Sequence, residues 1–425
     1  MTIAIFLASL LGAMALGLPI AFALLVSGAA LMWHLGMFNG QIIAENLIHG
    51  ADSYPLLAIP FFLLAGEIMN AGGLSRRLIN LALALVGHIH GGLGFVTILA
   101  AVLMAALSGS AVADAAMLTA LLLPMMIAAG HDPARSAGLV AASSIIAPVI
   151  PPSIGFIIFG VAANVSISRL FRAGIAPGLM LALALCVTWW WLSRRETVAA
   201  RPKSAPGEVA TALRQAVFAL FLPVIIIVGL KMGVFTPTEA GVVAAVYSLA
   251  ISMLVYRELS PARLYQAFAD AARTSAVVMF LVAAAAVTAW LITVANIPQQ
   301  VVVLLEPLID NPILLMTAIM ILVMLVGTAM DITPTILILV PVLMPLVKAA
   351  GIDPVYFGVM FMINCSIGLI TPPVGVVLNT VAGVGKMKMD AVIVGVLPFM
   401  LAQFALMFLL VLFPELVMTP ARLFY

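Results

Sequence analysis

Charged side chains are too scarce in this chain for it to fold in water. Only 8% of its 425 residues are Asp, Glu, Lys or Arg, and 65% are hydrophobic, where a soluble domain carries about 25% charged residues. A chain of this length holds about ten or more membrane crossings at roughly 20 residues each. A soluble enzyme, a secreted disulfide scaffold, a nucleic-acid binder and a disordered chain are therefore excluded. The net charge of +2 is too small to imply a polyanionic partner. Cys186 and Cys365 both sit in apolar runs and give neither a disulfide framework nor a zinc motif. The chain reads as an all-α polytopic membrane protein in a lipid bilayer.

Because charges are rare, their positions carry the topology. Basic residues gather as Arg76 and Arg77; Arg135; Arg194, Arg195, Arg201, Lys203 and Arg214; Arg257, Arg263 and Arg273; Lys386 and Lys388. Short Lys/Arg-rich loops stay cytoplasmic, so these groups should share one side. The runs 216–232 and 236–255 go out and return between Arg214 and Arg257, as do 137–163 and 172–193 between Arg135 and Arg194. Glu45, Asp52, Glu306 and Asp310 mark loops on the other side, with Arg169, Arg172 and Lys231 as exceptions. The apolar stretch from Ile3 to Trp33 is too long for a signal-peptide core and reads as one long helix bent at Pro19. The Trp189-Trp190-Trp191 run reads as an interface anchor.

The chain repeats itself. Leu122, Pro124, Ala128-Ala129-Gly130, Asp132-Pro133 and Pro151-Pro152 recur in order as Leu343, Pro345, Ala349-Ala350-Gly351, Asp353-Pro354 and Pro372-Pro373. Upstream, SGSAVAD ends at Asp114 and GTAMD at Asp331. The charge map inserts the two units from opposite faces, which is an inverted-topology repeat. The first repeat spans 1–193 with a re-entrant hairpin at about 92–129. A cytoplasmic linker covers 194–214, and the second repeat spans 215–425 with a hairpin at about 313–350. Amphipathic segments before each unit, 45–59 and 258–273, read as interfacial arms. The alternative for both is an ordinary loop.

Irregular backbone at membrane depth survives only where protein or a water-filled cavity satisfies it. Each hairpin tip (108–110 and 327–328) should therefore face one proline break (148–152 and 372–373). Oxygen atoms from a tip and a break suit a hard cation such as sodium, and half-helix N-termini suit a carboxylate. An Asp near a helix centre costs about 2.5–3.5 kcal/mol on insertion scales, which singles out Asp114 and Asp331 as cation ligands, neighbouring charges or N-caps. Ser143, Ser144, Asn364, Ser366 and Thr371 lie within two turns of the breaks and offer side-chain oxygens or simple packing. Glu67 and Glu239 stay open between ion relay and structure, while Asp132 and Asp353 read as turn residues. The histidines show no metal spacing, and neither a Walker loop nor a nucleophile elbow is present.

The blocks GADSYPLLAIPFFLLAGEIMNAGGLSRRL, LSGSAVADAA, SSIIAPVIPPSIGFIIFG, GVFTPTEAGVVAAVY and GIDPVYFGVMFMINCSIGLITPPVG resemble the large permease subunit of tripartite ATP-independent periplasmic (TRAP) transporters over nearly the whole chain. The resemblance implies an elevator-type architecture and sodium-driven import of a small carboxylate: a C4-dicarboxylate, sialic acid or a sugar acid. Two or more sodium ions and no organic cofactor are implied. It also implies a small four-helix membrane subunit, expected as a separate chain, a periplasmic substrate-binding protein, and the bacterial inner membrane. Carried over by position, Ser108 with backbone at Ala147, Ile150 and Pro152 forms a first sodium site. Gly327, Thr328 and Asp331 with Gly368 and Thr371 form a second. Ser110, Asp114, Ser143, Ser144, Asn364 and Ser366 fall to substrate or to a surrounding shell. The moving unit is expected within 56–193 and 275–416. A stand-alone carrier needing no binding protein is the rival; a channel or intramembrane enzyme would need a continuous polar face or a nucleophile–base pair, and neither is present.

Overall fold

The computed structural model describes residues 2–423 except 195, 197, 199–201, 204 and 305, and side chains there except 206, 304, 306 and 307. Arg195 and Arg201 of the basic linker group, and the side chain of Glu306, thus lie outside the described residues. The described chain is helical, joined by short turns.

The N-terminus departs from the expected single bent helix. Helix α1 (Thr2–Ala15) and helix α2 (Ile20–His34) fold back on each other. Gly17, at φ 82°, turns the chain, and Leu18 N–H donates to the Ala13 carbonyl at 3.2 Å. Glycine stops a helix in the left-handed region while proline stands at the next helix start, so Gly-Leu-Pro makes a reversal instead of a kink. The Ser27 hydroxyl, reaching the Phe6 carbonyl at 3.3 Å, ties the pair.

Next come α3 (Gly40–Ala51), a 3-10 turn (Tyr54–Leu57), α4 (Ala58–Ala71) and α5 (Leu74–Val86). The first hairpin is α6 (Gly92–Ser108) and α7 (Ala111–Ala128), followed by α8 (Pro133–Ser144), α9 (Ile154–Ala163) and α10 (Ile167–Ser193). The second half brings α11 (Pro206–Lys231), α12 (Pro237–Ala250), α13 (Pro261–Val294), α14 (Ile297–Leu304) and α15 (Glu306–Ile309). Its hairpin is α16 (Pro312–Gly327) and α17 (Ile332–Ala349), then α18 (Pro354–Gly368), α19 (Val376–Gly385), α20 (Met389–Leu412) and α21 (Glu415–Leu423). The α8–α9 and α18–α19 gaps are the two proline breaks, and Pro151-Pro152 and Pro372-Pro373 both carry cis peptide bonds.

Packing exposes the internal symmetry. Helix α7 packs on α19 while its counterpart α17 packs on α9; α8 packs on α20 while α18 packs on α10. Each half completes the other, as inverted repeats require.

Two expectations shift. Residues 258–273 do not form a separate element: with neither Gly nor Pro between Ala262 and Val294, nothing interrupts α13, which runs unbroken for 34 residues. The strongly amphipathic connector before the first hairpin is instead α5, which buries Leu74, Leu78 and Ala82. Helices α4 and α5 pack on α11, α12 and α13, and both also pack on α6, the first arm of the hairpin. The α5 start is fastened to the connection before α13 by Arg77, which pairs with Glu258 at 2.6 Å and lies 3.7 Å over the Tyr256 ring.

Candidate cation and substrate site

Each hairpin tip meets one break. Helix α6 ends at Ser108, and Gly109 takes φ 58° to turn the chain. A Cβ on Gly109 would lie 2.6 Å from the Pro152 carbonyl oxygen, so the first tip rests directly on the first break. At the second, a Cβ on Gly368 would lie 2.9 Å from the Gly327 carbonyl carbon and oxygen. Only glycines permit two backbones to approach this closely.

Several hydroxyl protons around these junctions are committed. Ser108 Oγ donates to Asp114 Oδ1 at 2.6 Å. Thr328 Oγ1 donates to the Leu325 carbonyl at 2.8 Å, and Thr371 Oγ1 to the Ile367 carbonyl at 2.8 Å. Ser144 Oγ donates to the Val140 carbonyl at 2.8 Å. A hydroxyl whose proton is spent on an acceptor keeps only lone pairs to offer, which is what a hard cation takes.

Asp114 is 1% exposed, and its Oδ2 has no partner among the described residues. Its role as an N-cap is ruled out: Ser110 caps α7 by accepting from the Ala113 N–H at 3.4 Å. A buried carboxylate with an unused oxygen needs a proton or a cation nearby. Asp331 differs. It stands at the N-cap position of α17 without a side-chain cap bond, and it is exposed. The two aspartates therefore differ in burial.

The halves differ in enclosure too. Residues 137–153 of the first break are buried throughout, whereas Pro373 and Val374 of the second are exposed. Ala147 and Ile150 lie in that sealed turn; the Ile150 side chain is taken up against Gly178 of α10. Asn364 Nδ2 donates to the Met320 carbonyl at 2.5 Å, tying α18 to α16, and its Oδ1 is buried without a partner among the described residues. Ser143 Oγ and Ser366 Oγ are likewise buried and without partners among the described residues. These atoms suit water, cation or substrate equally well. The residues present therefore fit a small hard cation at each junction.

Three residues close to the junctions escaped the sequence reading. Ser153 Oγ donates to the Pro148 carbonyl at 2.5 Å and caps α9, so one carbonyl freed by the break is already satisfied. A serine just before an apolar run after Pro-Pro is a recognisable cap signal. Gly66 of α4 lies at the first tip, its Cβ position 3.9 Å from the Ser108 Cα. Gln403 of α20 donates from Nε2 to the Ala142 carbonyl at 3.0 Å; a lone amide in an apolar run was its only signal. The Glu239 carboxylate has a structural use, accepting from the Thr236 N–H at 2.7 Å in a capping box.

Inverted helical repeats, two hairpin tips and two broken helices define the chain as the membrane-embedded permease type of secondary transporter. Residues 7–416 match the family model described as the tripartite ATP-independent periplasmic transporter, DctM component, and the chain belongs to that family. It is 57% identical over 422 residues to the 2,3-diketo-L-gulonate TRAP transporter large permease protein YiaN of Escherichia coli (strain K12), covering 99% of both chains. It is 37% identical over 414 residues to the sialic acid TRAP transporter large permease protein SiaM of Vibrio cholerae, covering 97% of each. The fold is similar to the crystal structure of the Alcanivorax borkumensis YdaH transporter, with a TM-score of 0.62, 17% identity, and coverage of 87% and 86%.

Proposed function

We propose that this permease imports a small organic carboxylate, of the keto sugar-acid class, driven by sodium ions bound where each hairpin tip meets its break. The observation that carries the reading is Asp114. Its carboxylate is buried beside Ser108 at the first junction with Oδ2 unused, and a sodium ion held by neighbouring oxygens answers that charge. The substrate class rests on the extent of likeness to the relative named for 2,3-diketo-L-gulonate.

Transport proceeds by an elevator movement. The bundle of α6–α10 and α16–α21 carries the sites, and α2–α5 with α11–α13 form the scaffold that it slides against. The sealed first break and the more open second break suit a carrier resting with access from one side. Each positive charge moving down a 100 mV potential contributes about 2.3 kcal/mol. Two sodium ions with one carboxylate monoanion move one net charge, so the potential alone sustains roughly fiftyfold accumulation and the sodium gradient adds to it. The carrier works in the bacterial inner membrane with a separate small membrane subunit and a periplasmic binding protein that delivers substrate.

Reconstitution with both partners tests this. Uptake of a radiolabelled keto sugar acid should need the binding protein, the small subunit and external sodium together. Uptake by the permease alone would favour a stand-alone carrier and refute the tripartite reading.

A further inference from the structure

Gln403 sits in the interior of α20 and is 0% exposed. A side-chain amide offers two donors and an acceptor oxygen, and burying them without partners is costly. Its Nε2 donates to the Ala142 carbonyl at 3.0 Å, across 261 residues of sequence. That carbonyl belongs to the last turn of α8. Were the helix to continue, the Ile146 N–H would take it. Instead Ile146 N–H donates to the Ser143 carbonyl at 3.2 Å, because the chain is leaving the helix towards Pro148 and Pro151. Breaking α8 thus frees a carbonyl, and α20 supplies the donor.

The second break is held differently. Leu369 N–H donates to the Cys365 and Ser366 carbonyls at 3.3 and 3.2 Å, and Thr371 closes on Ile367. These are its own residues. The register that carries Pro151 onto Pro372 carries Ala182 of α10 onto Gln403, so the second half has no amide at the equivalent place. The prop belongs to the first break alone, the one whose Pro152 oxygen meets the Gly109 tip.

We propose that Gln403 is a positioning residue for the first cation site: by holding the Ala142 carbonyl it fixes the 144–152 turn against the hairpin tip and so sets sodium affinity there. The proposal rests on the sodium-driven reading and adds to it a residue that touches neither ion nor substrate.

The test uses the full-length permease purified in detergent, and the same protein reconstituted with its partners. Thermal melting is followed as sodium replaces potassium, and sodium-dependent uptake is measured in parallel. Gln403→Met keeps the length and loses the donor; Gln403→Asn withdraws the amide by one methylene and serves if the first variant does not fold. Both should raise the sodium concentration for half-effect at least fivefold in melting and in uptake. The substrate KM at saturating sodium should move less than twofold. Phe399→Leu, which loosens the same helix beside Trp189, should lower the melting temperature without moving the sodium half-effect. A folded Gln403 variant with unchanged sodium half-effect, in a protein whose wild type responds to sodium, overturns this proposal alone. A wild type indifferent to sodium overturns the sodium-driven reading and this proposal with it.

Discussion

Replacing Gly109 with alanine puts the tip-against-break contact under direct test. The new Cβ meets the Pro152 carbonyl oxygen at 2.6 Å, with the Ser153 Cα behind it at 3.4 Å. Both are backbone atoms, so no side chain can swing aside, and the tip itself must withdraw. Overpacking of this kind costs about 1–3 kcal/mol, and the left-handed φ of 58° adds roughly 1–2 kcal/mol for any residue with a Cβ. The two contributions are separable. Gly130 has φ 96° and nothing within 4 Å of its Cβ position, so Gly130→Ala carries the backbone penalty without the contact. If the first sodium ion binds between tip and break, the contact penalty falls on the bound form. At about 1.4 kcal/mol per tenfold, half-saturating sodium for uptake should rise between roughly fivefold and a hundredfold in Gly109→Ala and stay within twofold in Gly130→Ala. Initial uptake rates in proteoliposomes across a sodium titration give the answer. Equal sodium curves for the two variants would refute the argument that this contact shapes the site.

Three more expectations follow from the same geometry. Asp114→Asn removes the buried charge while keeping an acceptor for Ser108, and should lower uptake at limiting sodium at least tenfold; Asp331→Asn, at an exposed position, should lower it less, which parallel titrations check. Gly368→Ala forces the Gly327–Gly368 approach apart and should raise half-saturating sodium, whereas Gly383→Ala, with nothing within 4 Å, should leave it unchanged. Glu196 accepts from His131 Nδ1 at 2.6 Å and Arg135 at 3.0 Å, clasping the end of α10 to the base of the first hairpin. Glu196→Gln should destabilise the protein by roughly 1 kcal/mol, read as a lower melting temperature with unchanged sodium dependence of uptake.

Much of this architecture is legible from residues whose chemistry is local. Proline pairs break helices wherever they occur, an Asp-Pro pair starts one, and a small polar tip between apolar runs has few other uses in a membrane. Those signals placed Ser108, Gly109, Pro152 and Gly327 at the junctions, while Gly368 came only from the family resemblance. What escaped depends on contacts distant in sequence. The extent of α13 is the exception: amphipathicity in 258–273 describes a face and not an end, and the local sign that the segment continues was the lack of Gly and Pro after Pro261. The packing of α4 and α5 on both α6 and α11–α13 is something no pattern within 58–86 encodes. Asp114 and Asp331 look equivalent in sequence, yet Ser110 caps α7 and frees Asp114 for Ser108. Position 331 has Asp itself at the N-cap position, and the chain there stays open. Gln403 is the extreme case, a donor supplied to a carbonyl 261 residues away.

The central claim is that sodium binds at two tip-and-break junctions and drives uptake. A sodium titration of initial uptake rate, with the wild-type permease and both partners in proteoliposomes under a constant membrane potential, tests it most directly. The account predicts a sigmoidal dependence with a Hill coefficient above one and no uptake when potassium replaces sodium. A rate that does not depend on sodium would contradict it.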